Sequence, residues 1–378
     1  MIARRWLLAL TGLEIPGGIA SVGRTIARVL DEEIAAGRVE RADRVLLYDD
    51  ERSPAPPARG VQWRARARQP LFAAELWLAR VALRPDLLLF DLVGLARSLA
   101  LPGPTPPYAV LCHGIELERI EPGSAHERAL LGAARLVANS QTTARFVRER
   151  FPAVAARVRA APLCIEPRLT DRWSEQRAAA AREGATGAAE RAHDAPVVLI
   201  IGRVWSEERG KGHDELIEAW PRVRAAIRDA ELWVVGDGDD RPRLEEKVRA
   251  AGLGDAVRFF GRVSDDELAR CYERASLFAM PSRQEGFGLV YAEAMWHGLP
   301  CLASTRDAGA EVVRDGETGV LVPYGDVAAI GAAIAGLLGD AERLARMGRA
   351  AFAEARERFG YARFRRDLLA ALDLGDER

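Results

Sequence analysis

Cysteine is scarce in this chain: four residues in 378, Cys112, Cys164, Cys271 and Cys301, with no C-x-x-C and no histidine at metal-ligand spacing. That argues against a disulfide framework and a zinc module, and it fits a reducing cytoplasm. Net charge is nearly absent as well. The 54 Lys and Arg against 55 Asp and Glu leave −1 at pH 7, which gives no reason to expect a nucleic-acid partner. Long apolar runs are missing, and no stretch approaches the roughly 18 residues that a membrane span needs. The opening Met1-Ile-Ala-Arg-Arg-Trp-Leu-Leu-Ala-Leu10 imitates a short signal peptide, but Glu14 and Pro16 follow without a small-residue cleavage pattern. It reads as a first β-strand. Lysine is absent from residues 1–170, where 24 arginines face 18 acidic residues for +6, while the remainder sets 30 basic against 37 acidic for −7. The first half is the basic half.

What is present is a chain long enough for two domains, 49% hydrophobic and 29% charged. Strand-like runs alternate with helical segments, the pattern of parallel α/β domains. Candidate strands are 6–10, 45–48, 87–90, 109–112 and 136–138 in the first half, and 197–201, 232–235, 257–259, 277–280 and 300–303 in the second. Two such repeats predict two doubly wound, Rossmann-like sheets: a first domain over 1–168 and a second over 196–358. The connector, 169–195, is rich in Ala, Arg and Glu and reads as helical with a flexible stop around Gly184 to Gly187. A long helix over 327–359, broken near Gly339, precedes the tail 359–378.

Chemistry concentrates in the second half. Glu285 and Glu293 bracket E-G-F-G-L-V-Y-A-E, two carboxylates around a Gly-Phe-Gly turn and an apolar run. A helix starting near Gly288 points its free N–H groups and positive dipole end at that turn, which suits a phosphate. Eight helical residues rise roughly 12 Å and turn the second acid about 80° from the first, so the pair suits two ends of one elongated ligand and not one metal ion. Upstream, the apolar run Val197–Ile201 leads to Gly202-Arg203 and then Lys211-Gly212. A planar guanidinium fork and a compact ammonium complement a diphosphate.

In these segments, and in Asp315-Gly-Glu-Thr-Gly319-Val-Leu-Val-Pro323, the sequence resembles the retaining, nucleotide-sugar-dependent glycosyltransferases of family 4. The resemblance covers about residues 195–358 strongly and the first 165 through shorter marks. It implies the two-domain GT-B fold, with a ligand cleft between facing sheets and a tail that crosses back to the first domain. It implies that Arg203 and Lys211 clamp the diphosphate and that Glu285 bonds the transferred sugar. Glu293 would take both ribose hydroxyls, and the backbone of Gly286, Phe287, Gly288 and Leu289 would meet the phosphates. Arg262 and Val263, in the 261–264 stretch, would border the base. His113, at the end of Tyr108-Ala-Val-Leu-Cys112, matches the family's His-Gly pair that touches the donor sugar, and Gly17-Gly18 matches its glycine-rich acceptor loop. The implied catalytic set is therefore His113, Arg203, Lys211 and Glu285, with no metal and no cofactor beyond a UDP- or GDP-sugar donor. The implied acceptor is a saccharide or lipid-linked hydroxyl; the cysteine usage fits the cytoplasm, and the basic first half suggests a peripheral place at the inner face of the membrane.

Other readings stay open. Gly18-x4-Gly23-Arg24-Thr25 imitates a P-loop with Arg where Lys is needed, and Leu87-Leu-Leu-Phe-Asp91 imitates its metal-binding strand, so an NTPase is one alternative. A catalytically silent sugar-nucleotide binding module is another. Asp237-Gly238-Asp239 matches a D-x-D metal signature but follows a strand end, where acid-glycine pairs make turns. No G-x-G-x-x-G follows a candidate strand, which argues against a nicotinamide dehydrogenase. Lastly, Arg59, Arg64, Arg66 and Arg68 beside Trp63 precede the apolar run 71–78. A buried helix explains the apolar positions; the arginines, which packing does not explain, fit either an anionic membrane or acceptor or a solvated, salt-screened loop.

Overall fold

Short strands with no polar alternation can only sit in sheets covered on both faces. Leu87–Phe90 is buried at all four positions, and Val197–Ile201 at four of five. In the computed structural model, which describes residues 4–15, 17–50, 57, 59–182 and 195–373, these two runs lie in two separate parallel sheets. One unit comprises Met1–Pro167 with Tyr361–Arg378 and the other Arg168–Gly360. The expected stop at Gly184 to Gly187 lies outside the described residues.

The first sheet contains β1 (Arg5–Leu10), β2 (Arg41–Leu46), β3 (Gln62–Arg64), β4 (Leu87–Phe90), β5 (Tyr108–Cys112), β6 (Arg135–Ala138) and β7 (Val158–Ala160), in the order β3-β2-β1-β4-β5-β6-β7. The second contains β8 (Val197–Ile201), β9 (Glu231–Val235), β10 (Val257–Gly261), β11 (Leu277–Met280), β12 (Cys301–Ser304) and β13 (Gly319–Val322), in the order β10-β9-β8-β11-β12-β13. Each sheet reverses its strand order once. Leu8 of β1 pairs with Arg44 on one side and Leu89 on the other, and Leu199 of β8 with Trp233 and Phe278. Loops leave such a switch point in opposite directions and open a crevice at the strands' carboxyl ends. In the second unit those loops are the ones after β8 and β11, which carry Arg203, Lys211 and Glu285.

Several expectations need correction. The edge strands β3, β7 and β13 were not anticipated, and β2 runs Arg41–Leu46 rather than 45–48, leaving Tyr48 exposed. The helix Pro167–Arg182 is no bare connector: it buries Trp173 against Tyr272 and His297 of the second unit. The break expected near Gly339 is there: the helix over 327–359 is two, Val327–Leu338 and Ala341–Arg358, the latter capped by the Asp340 carboxylate accepting from the Arg343 N–H. Tyr361–Leu372 buries Phe364 and Leu368 in the first unit, where Arg363 donates to the Pro162 and Leu163 carbonyls.

The helix Gln69–Leu83 departs most. It buries Phe72, Leu76, Ala79 and Arg80, one stripe at helical spacing, while Leu71, Trp77, Leu78 and Val81 stand 37–50% exposed, with Leu101 nearby in sequence also exposed. Its apolar residues are thus only half explained by the core. Trp63 and Arg64 belong to the edge strand β3 and are half-buried, whereas Arg59, Arg66 and Arg68 are exposed.

Candidate functional site

The second unit's switch point brings together two residues 74 positions apart. Lys211 Nζ donates to Glu285 Oε2 at 2.7 Å, with the side chains only 13% and 18% exposed. Lys211 is one of two lysines in the chain, the other 52 cations being arginine. It ends a short 3-10 turn, Ser206–Lys211, and Gly212 then opens the helix His213–Ala226 in the left-handed region at φ 98°, where a side chain would also strike the Pro281 ring. Residues expected on different parts of a ligand, the diphosphate and the sugar, are therefore ion-paired with each other. A Cβ at Gly202 would lie 3.9 Å from the Lys211 stem and 3.7 Å from the buried His213 ring, which places Gly202 beside both.

Glu285 is also held through its backbone. Its N–H donates to Asp307 Oδ2 at 2.9 Å, and Asp307 accepts from Ser282 Oγ and from the Gly309 N–H, while Glu285 O accepts from the Ala308 N–H. The loops after β11 and β12 are laced by this one buried carboxyl, whose pKa burial pushes up to about 6. Nothing in the sequence singles out Asp307; the only available signal was an acid in a turn following an apolar strand.

The helix expected to start near Gly288 does so, but the helical reckoning between the two glutamates does not hold. Glu285 precedes the helix, which runs Leu289–Trp296, and Gly288 breaks the geometry at φ 88°, ψ 59°. A Cβ there would sit 2.5 Å from the Tyr291 ring, so only glycine fits by both conformation and space. The turn is anchored by Phe287, buried edge-on against Phe359 at 5.8 Å. Within the first turn of Leu289–Trp296 the Tyr291 N–H donates to the Gly288 carbonyl at 3.0 Å, so the amides that lead into the helix from Phe287 to Val290 are the ones a helix start leaves over for a ligand. Glu293 lies on this helix, half-buried, and its Oε2 accepts from the Tyr272 hydroxyl at 2.9 Å.

Arg203 is more exposed than Lys211. Its guanidinium pairs with Glu208 at 2.6 Å and lies over the Trp205 ring at 4.9 Å. Arg209, in the same loop, is engaged by Asp240. Arg262 and Val263 connect β10 to the helix Asp265–Arg274, whose first turn is closed by a Ser264–Glu267 capping box. Asp239 of the D-x-D match accepts from the Ser206 N–H and Oγ, a turn contact. The third family mark is also structural: Asp315 accepts from the Leu321 N–H and feeds edge strand β13.

In the first unit, His113 follows β5 and its Nε2 lies 2.7 Å from the Asp91 carbonyl, which makes Nε2 the protonated nitrogen and leaves Nδ1 an acceptor in the neutral ring. Asp91 is fully buried; its carboxyl takes the Thr11 N–H at 2.7 Å and the Thr11 hydroxyl at 3.0 Å, and burial raises its pKa to about 6. Gly17 precedes the helix Gly18–Ala35 at φ 119°. The NTPase alternative fails here. Gly18 to Thr25, which a P-loop needs as a phosphate-wrapping loop, are helical; Arg24 forks onto Glu166 and Thr25 Oγ bonds the Ser21 carbonyl.

Comparison with known proteins agrees with this geometry. The family described as glycosyl transferases group 1 matches residues 195–340. The chain is 42% identical over 144 residues to a phosphatidyl-myo-inositol mannosyltransferase of Mycobacterium leprae, covering 37% of each chain. It is 36% identical over 162 residues to a GDP-mannose-dependent alpha-(1-6)-phosphatidylinositol monomannoside mannosyltransferase of Mycolicibacterium smegmatis, covering 41% of this chain and 42% of that one. The chain thus spans about two fifths of the length of these relatives. Among solved structures, a sucrose-phosphate synthase from Thermosynechococcus elongatus superposes with a TM-score of 0.76 at 21% identity over 97% of both chains, which shows the fold.

Proposed function

We propose, from the premise that residues 195–340 belong to the group 1 glycosyl transferases within a GT-B fold, that this chain moves a hexose from a nucleoside diphosphate to a hydroxyl with retention. The observation that carries the reading is the Lys211–Glu285 pair at the β8/β11 switch point, on the turn that leads to Glu293. Lys211 and Arg203 neutralise the diphosphate, and the amides of Phe287, Gly288 and Leu289 add donors. Glu285 accepts from hydroxyls of the sugar, and Glu293 from both ribose hydroxyls. Arg262 and Val263 border the base. The bond from the anomeric carbon to the phosphate oxygen breaks as the acceptor oxygen bonds the same face, and the acceptor proton passes to the leaving phosphate. No protein nucleophile is required, and the cations do the work usually given to a metal ion.

The relatives' names support a GDP-mannose donor and a lipid-borne acceptor as the first substrates to test. A panel of UDP- and GDP-sugars, scored by thermal shift and then by release of nucleoside diphosphate on adding acceptor, tests the reading. Binding without release under every acceptor would favour the silent binding module.

Contact with an anionic membrane belongs to the same proposal. Among the described residues no helix is long and apolar enough to cross a membrane. The contact surface is the exposed face of Gln69–Leu83, with Leu71, Trp77, Leu78 and Val81, in a segment, 59–84, whose exposed arginines are Arg59, Arg66, Arg68 and Arg84 against one acid, Glu75. Apolar residues enter the headgroup boundary while each nearby cation adds about 1 kcal/mol. Co-sedimentation with anionic and neutral vesicles decides, using Trp77→Ser with Leu78→Ser. Equal binding to both, or no loss in the variant, refutes the contact.

A further inference from the structure

Glu293 depends on a residue from another helix. Tyr272, on Asp265–Arg274, is completely buried and donates its hydroxyl to Glu293 Oε2 at 2.9 Å, with the Val290 carbonyl at 3.5 Å. The ring is fixed from two directions. His297, just beyond the helix that carries Glu293, stacks on it at 5.0 Å with 13° between the planes, and Trp173 meets Tyr272 and His297 edge-on at 6.3 and 4.6 Å. Trp173 is itself tied to the Tyr272 helix, because its neighbours Arg172 and Gln176 both bond the Asp266 carboxylate. Burial, with the Glu293 carboxylate beside it, pushes the phenol far up, so the hydroxyl keeps its proton and donates.

Packing accounts for an aromatic ring at position 272 but not for its hydroxyl. A phenylalanine would fill the same space and stack on the same imidazole. The hydroxyl's short hydrogen bond, at 2.9 Å against 3.5 Å to the Val290 carbonyl, goes to the carboxylate. A glutamate has three side-chain torsions to restrain, and a carboxylate meets two neighbouring O–H groups only when its plane is set correctly. A rigid donor on one oxygen sets that plane in advance, which lowers the ordering cost when ligand arrives.

We propose that Tyr272 is a positioning residue for donor binding, which holds the Glu293 carboxylate in the orientation that receives the two vicinal hydroxyls of a nucleotide ribose. The proposal rests on the reading of Glu293 as the ribose ligand, and the experiment separates the two. The full chain and its Tyr272→Phe variant are titrated calorimetrically with UDP and GDP, and with the 2′,3′-dideoxy forms of each. The variant binds the preferred ribonucleotide about tenfold more weakly than wild type, as coupled groups in contact do, and binds the dideoxy form unchanged. In a Glu293→Ala background the Tyr272→Phe change has no further effect. The same tenfold loss with the dideoxy nucleotide, or no loss with either, overturns Tyr272 as a positioning residue while leaving Glu293 in place. A wild type that binds ribo and dideoxy forms equally, or binds neither, overturns the reading of Glu293 itself. Phenylalanine preserves the ring contacts, and a double variant whose affinity equals that of Glu293→Ala alone excludes general damage to the fold.

Discussion

Replacing Lys211 by Met and Glu285 by Gln, singly and together, tests whether their pairing is energetically real. At 2.7 Å between heavy atoms, with neither side chain more than 18% exposed, the charges interact more strongly than a surface pair. Charges about 4 Å apart at an effective dielectric near 20 attract by about 4 kcal/mol. Desolvation of both ions offsets much of that. A coupling of about 1–3 kcal/mol should survive, the usual range for contacting residues. Each single change strands one partly buried charge and costs about 2–3 kcal/mol, while the double change costs clearly less than their sum. Urea denaturation at neutral pH, followed by tryptophan fluorescence and fitted to the transition that the variants move, gives the cycle. Additivity within about 0.5 kcal/mol would refute the pairing. Kinetics then separate structure from function. Lys211→Met lowers kcat more than it raises the donor KM, because the ammonium acts on charge that develops on the leaving phosphate.

Glu293→Ala should instead raise the donor KM, by about 1.5–3 kcal/mol in binding, whereas Arg203→Ala lowers kcat; wild-type turnover in both dissolves the site. Transfer should persist in EDTA, and its abolition with rescue by Mn²⁺ would return Asp237 and Asp239 to consideration. Gly288→Ala should cost at least about 1–3 kcal/mol from φ 88° alone and displace the Tyr291 ring, read as a lower thermal midpoint together with lost transfer. Asp91, with its folded-state pKa raised to about 6, binds more protons folded than unfolded between about pH 4 and 6. Its contribution is therefore complete below pH 4 and is lost as pH rises through 6, so Asp91→Asn should gain on wild type across that window by up to about 3 kcal/mol. A difference that is flat with pH contradicts this. His213, lowered to about 4 by burial, titrates with the opposite sign and is left in place in both proteins.

The two sheets were legible because strands buried on both faces are written as unbroken apolar runs, and Leu87–Phe90, Val197–Ile201 and Leu277–Met280 start and stop where the residues change. Edge strands were not. Gln62-Trp-Arg64 and Val158-Arg-Ala160 are three residues long with mixed polarity, and they become strands only because a neighbour supplies a free edge. The helix at 69–83 misled for a related reason. Apolar content was taken as burial, but helical spacing admits only the stripe of Phe72, Leu76 and Ala79 to the core and turns Trp77 and Leu78 outward.

Within the site, the residues proposed to touch ligand stand out in the sequence, and those that hold them do not. Lys211 and Glu285 each stood out by chemistry, but their pairing across 74 positions depends on β8 and β11 being neighbours, a property of sheet order and not of local pattern. Asp307 and Tyr272 belong to no motif. One laces the backbone beneath Glu285, and the other holds the carboxylate of Glu293. Both are buried, so neither needs to be charged or exposed in the way that draws the eye in a sequence. A ligand-facing carboxylate on a half-buried helix still costs conformational entropy each time it orders, and a buried donor removes that cost once, on folding. It follows that substitutions at Tyr272 and Asp307 should change affinity or turnover while leaving every recognisable motif intact. A chain carrying such changes would still look like an intact member of its family, and only measurement would show that its carboxylates no longer point where the ligand needs them.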